Sequence, residues 1–286
     1  MFRFAQHDKI TPMEIVPLGD SALIVRVRDQ FEDAPEETLD EVLRTFQRIR
    51  NAAIPGVIEL APAYTSVSVF FDPITVTKAI EAPDKLFDWV VKRIRAAVAA
   101  GDLSAVASAK ADDPGWIARS PSRTIEIPVC YDSEFAPDLD HVAEHAKISP
   151  IEVVDLHRTG EYRAACIGFV PGFPFLSGLA RKLATPRRDV PRKEIPPGSV
   201  GIGGAQTGIY PLRSPGGWNL IGRTPLKLFD PTTDPPALLR AGDHVRFRAI
   251  TREEFEALKQ SKGHPDPAAA GTGPHTQSSG SAGEPV

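Results

Sequence analysis

The chain has 286 residues, a formal charge of −4 and 24% charged side chains, enough length for two domains that each bury a core. This mild acidity excludes the broad basic face that nucleic-acid binding needs, and no apolar run reaches the roughly eighteen residues of a membrane-spanning helix. The start, "MFRFAQHDKI", is too polar for a secretory h-region, and Cys130 and Cys166 sit in apolar strand-like runs that offer no disulfide framework, so a cytoplasmic protein is expected.

Residues 1–13 are expected to be an N-terminal extension, and an α/β domain is expected over 14–100. Its first strand alternates from about Ser21. A helix follows in "PEETLDEVLRTFQRIR", with Pro35 in its first turn, Glu36 and Glu37 at the positive end of the dipole, and Arg44, Arg48 and Arg50 toward the other end. Leu39, Val42, Leu43, Phe46 and Ile49 fall on one stripe at helical spacing. "VIEL" and "SVSVFF" read as strands around the turn-rich "APAYT". A second helix runs through "DKLFDWVVKRIRAAVAA", with Asp84 as its expected cap. Residues 101–122 read as a linker leading to the strand "RTIEIPVCY". The order β-α-β-β-α-β predicts a ferredoxin-like split βαβ, although the last strand equally suits the opening of the next domain.

That second domain is expected over 123–252. "DLDHVAEHAKISPIEVVDLH" reads as two short helices, the second with a capping box of Ser149, Pro150 and Glu152. Beyond Gly160 come short segments broken by Pro-Gly turns: "YRAACIGF", "SVGIGG", "GIYPL", "WNLIG", "LKLF" and "HVRFRAI". Many short strands with turn signals predict a closed or partly closed β-barrel, for an α+β chain overall. A short helix over 253–260 and a disordered tail over 261–286, rich in Gly, Pro, Ser and Ala, complete the reading.

Four stretches of the second half bear on chemistry. His141 to His145 matches H-x-x-E-H, but the apolar face of that helix is Leu139, Val142, Ala143 and Ala146. Both histidines then face solvent with no third ligand in view, so no metal site is expected. The helix pair is also a poor helix-turn-helix, because its second helix carries Glu152 and Asp155 where donors are needed. "GFVPGFPFLSGL" places a type II turn, Val170-Pro171-Gly172-Phe173, among three phenylalanines, which suits a pocket wall. Arg181, Lys182, Arg187, Arg188, Arg192 and Lys193 crowd a proline-rich, extended path suited to facing an anion.

The stretch Gly198 to Pro225 is neither a phosphate loop nor a dinucleotide fingerprint: it has no Gly-Lys pair, and Gln206 stands where the third glycine belongs. Pro197-Gly198 and Pro215-Gly216 each fit type II turns, and Gly201, Gly203 and Gly204 allow close approach to the backbone. Ser199, Gln206, Thr207, Tyr210, Arg213, Ser214 and Trp218 supply hydrogen-bonding or stacking groups, with no nucleophile-base pair among them.

Together, "IGFVPGFPFLSGL", "PRKEIPPGSVGIGGAQTGIYPLRSPGGWNLIGRTPLKLFD" and "LLRAGDHVRF", with "PLGDSALIVRV" and "AYTSVSVFFDP" upstream, resemble the B subunit of the bacterial ATP-dependent 5-oxoprolinases. That family includes proteins labelled allophanate hydrolase subunit 1 and a sporulation-kinase inhibitor. The resemblance spans residues 14 to 250 and implies a cyclophilin-like barrel as the C-terminal domain. It further implies the A and C subunits of the same enzyme as partners, the C subunit being homologous to this chain. ATP with Mg²⁺ is the implied co-substrate, without a tightly bound cofactor. The implied reaction is opening of 5-oxo-L-proline to L-glutamate by a lactam hydrolase subunit that is inactive alone.

Carried onto this chain, the resemblance implies a wall and turn of Phe169, Pro171, Gly172 and Phe173. Arg192 would stabilise charge, Gln206 would act beside it with Ser199 and Tyr210 as polar contacts, and Gly216, Gly217 and Trp218 would form a second turn and stacking surface. Where the family often has Tyr in "PGFPYL", this chain has Phe175, which has no hydroxyl to offer. Two alternatives share these residues: a regulator that binds and inhibits a sensor histidine kinase, and a hydrolase subunit for allophanate or urea-derived amides.

Overall fold

The computed structural model describes residues 13–80, 83–100 and 123–261. Beyond Met13 and Ser261, the expected N-terminal extension and C-terminal tail lie outside the described residues, as does the expected linker over 101–122.

The N-terminal half is a four-stranded antiparallel sheet carrying helices. Its strands are β1 (Glu14–Pro17), β2 (Ala22–Arg26), β3 (Val57–Ala63) and β4 (Ser66–Phe71), in the order β1-β2-β4-β3. Helix α1 (Pro35–Asn51) starts and ends as its charges predict, with Pro35 in the first turn and Arg48 and Arg50 in the last. Its stripe of Leu39, Val42, Phe46 and Ile49 is buried, each side chain contributing about 1.5–3 kcal/mol of apolar burial.

Asp72 caps a short helix α2 (Pro73–Lys78) that the sequence reading passed over: its carboxylate accepts from Ile74 N–H at 3.0 Å. Helix α3 (Leu86–Ala99) buries Val90 and Ile94 against the same core. Asp84 does not cap it. It lies in a 3-10 turn, Pro83–Lys85, and Lys85 holds the cap position without a side-chain bond.

The next strand, β5 (Thr124–Cys130), belongs to the other half, so the place beside β2 is filled by β1 instead of by a strand after α3. The barrel elements are α4 (Leu139–Ala146), α5 (Pro150–Arg158), β6 (Tyr162–Ile167), β7 (Pro174–Ser177), β9 (Ser199–Gly203), β10 (Gln206–Ile209), β12 (Asn219–Arg223) and β13 (His244–Ile250). Pairing runs β6-β13-β5-β12-β9-β10-β7 and returns from β7 to β6, which closes a seven-stranded barrel and leaves no free edge within that circuit. All pairings in it are antiparallel except β5 with β13.

A two-stranded ribbon of β8 (Arg192–Ile195) and β11 (Ser214–Gly216) stands apart, and α6 (Arg252–Gln260) ends the described chain behind a Thr251 cap. "LKLF" is not a strand. Leu226 and Leu228 are buried within an irregular segment whose one ladder contact is an isolated bridge from Phe229 to Ala237. The capping box of α5 forms as its residues predict: Glu152 N–H donates to Ser149 Oγ at 3.3 Å and Ser149 N–H donates to Glu152 Oε2 at 2.8 Å.

Alternation along the strands fills the barrel with Ile127, Val129, Tyr162, Ala164, Leu176, Val200, Ile202, Ile209, Ile221, Val245 and Phe247. One polar chain threads this core. Thr207 Oγ1 donates to the Gly201 carbonyl at 3.0 Å and therefore accepts from His157 Nε2–H, also at 3.0 Å. That leaves His157 Nδ1 as acceptor for the Tyr131 hydroxyl at 2.8 Å. The ring stacks on Phe247 with centroids 4.4 Å apart. Burial alone holds the imidazole neutral and pushes its pKa down to about 3.

The two halves are joined along β6. Ala63 of β3 pairs with Cys166, and Tyr64 N–H donates to the Ala165 carbonyl at 3.1 Å. Arg163, buried on β6, reaches across to α1, with Nη1 on Glu36 Oε2 at 2.9 Å and Nη2 on Asp40 Oδ1 at 2.6 Å. Phe31, Leu39 and Ala165 pack beside it, with Leu43 and Tyr64 closing the seam.

Candidate functional site

The loop before β7 turns as its Pro-Gly pair requires. Phe173 N–H donates to the Val170 carbonyl at 3.1 Å, and Gly172 takes φ +81, which completes a type II turn. The turn sends Phe173 inward. It meets Tyr210 at 5.1 Å, Trp218 at 5.5 Å and Phe175 at 4.8 Å between ring centroids, over Ile195 and Leu220. Phe169 lies on the outer side, 62% exposed, its ring edge-on to Phe173 at 5.7 Å. Its φ of +68 is a strained value for a phenylalanine.

The glycines around this cluster serve the cluster itself. A Cβ at Gly203 would stand 2.5 Å from the Trp218 indole, and one at Gly208 would stand 2.7 Å from the Pro174 carbonyl and 3.0 Å from the same indole. A Cβ at Gly216 would lie 2.4 Å from the Tyr210 hydroxyl. The close approach read from the sequence is made here by the chain's own rings. Gly198 turns at φ +83 behind Pro197 as expected. Pro215 and Gly216, in contrast, form no type II turn: they lie in β11, where Gly216 pairs with Arg192 of β8 and restrains the basic segment. Gly217 continues that restraint, its carbonyl accepting from Arg188 N–H at 2.8 Å.

The basic stretch is thereby laid along the aromatic cluster. Arg187 places its guanidinium 5.9 Å from the Trp218 ring centroid. Arg192 Nη2 and Arg188 Nη1 both donate to Oδ1 of the buried Asp138, each at 2.8 Å. Arg192 Nη1 is buried as well and has no hydrogen-bond partner among the described residues. Burial pushes the Tyr210 hydroxyl up, against the opposing pull of the Trp218 backbone and the charges of Arg187 and Arg192. Both arginines therefore sit within electrostatic reach of that ring.

Gln206 stands elsewhere on the rim, on the seam between the halves. Its carboxamide exchanges hydrogen bonds with the Tyr64 hydroxyl, Nε2 at 3.2 Å and Oε1 at 3.3 Å. Tyr64 projects from the β3–β4 turn at φ +48 and packs against Phe31 and Phe175 at 5.3 and 6.2 Å. Burial pushes its pKa up to about 12, opposed first by the Gln206 bond and then by the Arg187 charge.

Of the residues read from the sequence, Phe169, Phe173, Arg192, Tyr210, Gly216, Gly217 and Trp218 are brought together. Gly172 and the exposed Pro171 frame the turn. Gln206 joins only through Tyr64, and Ser199 is buried in β9 opposite Arg223, tied to Tyr210 by its carbonyl. Asp138 and Tyr64 were missed, and Arg187 and Arg188 were seen only as members of a charge run. Asp138 lies about fifty positions from either arginine, so no local pattern marks it. His141 and His145 are exposed, and among the described residues no cluster of three metal-ligating side chains occurs. No helix among them is long and apolar enough to cross a membrane.

A closed barrel joined edgewise to an α/β sheet is a fold that recurs among known proteins. Residues 13–239 match the family model described as carboxyltransferase domain, subdomain C and D. The fold recurs in the crystal structure of the Kluyveromyces lactis urea carboxylase, with a TM-score of 0.64 at 19% identity over 91% of this chain and 24% of that one. The 5-oxoprolinase B subunit of Bacillus subtilis is 42% identical over 86% of this chain and 97% of its own length. That of Escherichia coli O157:H7 is 39% identical over 80% and 93%. The chain belongs to the family of 5-oxoprolinase B subunits, as its motifs had indicated.

Proposed function

We propose that this chain is the B subunit of an ATP-dependent enzyme that opens 5-oxo-L-proline to L-glutamate, and that it turns over only in complex with the A subunit of that enzyme and with the homologous C subunit. The observation that carries the reading is Arg192, held by a buried carboxylate while a second guanidinium nitrogen has no partner among the described residues, beside an aromatic floor.

A lactam is a poor electrophile, and phosphoryl transfer to its oxygen overcomes this. The lactam oxygen bonds to the γ-phosphorus as ADP leaves, and water adds to the activated carbon. The ring nitrogen then departs as the protonated amine, and a second water releases phosphate. Negative charge gathers on oxygens at each stage, so fixed cations and donors serve better than a protein nucleophile. Arg192 and Arg187 supply the cations, Phe173 and Trp218 an apolar bed for the ring carbons, and Gln206 with Tyr64 a neutral donor-acceptor pair of the kind an amide needs. Mg²⁺ enters on the nucleotide. The cytoplasm, where ATP is plentiful, is the compartment for such a reaction.

The test is reconstitution with the A and C subunits, following ADP and glutamate from 5-oxoproline. Arg192→Ala should lower turnover about a hundredfold, in the range of a lost charge-stabilising donor, and Gln206→Ala should mainly raise KM. Wild-type rates in both variants remove these residues from the site. An inert complete complex, with tight binding to a histidine kinase instead, replaces the enzyme reading with a regulatory one. Turnover of allophanate but not 5-oxoproline keeps the chemistry and changes the amide.

A further inference from the structure

Asp138 occupies the N-cap position of α4, where aspartate ordinarily turns its carboxylate onto the first free N–H groups of the helix. Here it makes no such bond. Oδ1 takes both Arg188 and Arg192 at 2.8 Å, and Oδ2 takes the Leu220 N–H at 2.7 Å. Its own N–H donates to the Leu220 carbonyl at 2.9 Å, so the residue is clamped to β12 from backbone and side chain alike. A strong local preference has been given up, and the carboxylate serves two arginines that lie far along the chain.

The geometry has a specific effect on Arg192. One terminal nitrogen, Nη2, is committed to a carboxylate whose side chain is 4% exposed, and the planar guanidinium fixes where the other must point. Nη1 is that other nitrogen, buried and unpartnered among the described residues. Asp138 also neutralises one of the two positive charges that share its oxygen, without which Arg188 and Arg192 would repel.

We propose that Asp138 is the positioning residue of this site: it holds Arg192 by Nη2 so that Nη1 is presented, already oriented, to an oxyanion of the substrate. This rests on the reading of Arg192 given above. The ligand chemistry is a carboxylate or phosphoryl oxygen accepting one charged N–H bond.

The test is a double-mutant cycle in the complex reconstituted from all three subunits, with thermal melting of each variant. Asp138→Asn keeps the shape, but with its one amide oxygen on the Leu220 N–H it turns an NH2 toward the arginines and loses both the charge and their acceptor, so it should lower kcat about tenfold or more. In an Arg192→Ala background the same change should cost less than about twofold, because residues acting as one unit are not additive. Arg192→Lys is the second variant, for use if Asp138→Asn melts early. Its single ammonium goes to Asp138 and leaves nothing in the place of Nη1, so it should lose as much turnover as Arg192→Ala.

Wild-type kcat in Asp138→Asn beside an impaired Arg192→Ala overturns this inference alone, as do losses that multiply in the double variant, or wild-type turnover in Arg192→Lys. Wild-type turnover in Arg192→Ala overturns the reading of the site and this inference with it.

Discussion

The buried imidazole of His157 makes the stability of the barrel depend on pH below the value at which a free imidazole titrates. Native His157 takes a proton only near pH 3, whereas in the unfolded chain it does so near 6.5. Between those values the unfolded state binds the extra proton, so stability rises with pH and is lost as the solution is acidified. Native stabilisation from this source is fully present above 6.5 and fades as the pH falls toward 3. At pH 5 about 97% of unfolded imidazoles are charged and almost no native ones, so linkage gives a loss of about 2 kcal/mol relative to pH 8. The ring is fully buried, and no solvent screening reduces this figure.

Urea unfolding at pH 8, 7, 6 and 5 measures the effect, with His157→Gln as comparison. Glutamine cannot titrate but can still donate to Thr207. The variant is expected to be less stable at pH 8, because Tyr131 loses its acceptor, yet to lose about 2 kcal/mol less than the wild type on going to pH 5. Equal pH slopes for the two proteins would refute the reasoning, as would an NMR titration in which native His157 protonates near 6.5.

Two further outcomes concern packing. Arg163→Ala removes both ion-pair bonds from β6 to α1 and should cost about 2 kcal/mol in denaturant unfolding, as expected for hydrogen bonds to charged partners. An unchanged unfolding midpoint would mean that the seam is held by its apolar residues and its remaining hydrogen bonds, without help from these ion pairs. Gly203→Ala forces a methyl into the Trp218 indole and should cost about 1–3 kcal/mol. It should also shift the tryptophan emission and weaken turnover in the complex, whereas an unshifted spectrum would show that the ring has room to yield.

What the sequence made legible was local. The stripe and charges of α1 and the capping box of α5 are each contained in one or two turns, so residue types alone fix them. The Val170–Phe173 turn needed only its proline and glycine. Closure of the barrel followed from the density of short strands, but its circuit did not. The parallel pairing of β5 with β13 joins segments at opposite ends of the domain, and no periodicity reports it. Asp84 looked like a cap because its type is right, yet the chain turns once more before α3 begins. Gly203, Gly208 and Gly216 signalled a close approach correctly, but the approaching groups were Trp218 and Tyr210, which only the fold brings near. His157 gave no signal, since its partners come from β10 and from Tyr131, just beyond β5.

The parallel partnership of β5 and β13 also bears on how the chain is made. Its register sets Thr124 against His244 and Cys130 against Ile250, so the first barrel strand to leave a ribosome pairs with the last. The N-terminal sheet draws all four of its strands from residues 14–71 and is free to form early. The barrel cannot close until synthesis has passed Ile250, and until then β5 and β6 lack the strand that lies between them. Contacts of such long sequence separation fold slowly and leave apolar edges exposed meanwhile. A nascent chain of this family therefore spends most of its translation with a finished sheet attached to an open barrel, the interval in which aggregation competes with folding and a chaperone has most to protect.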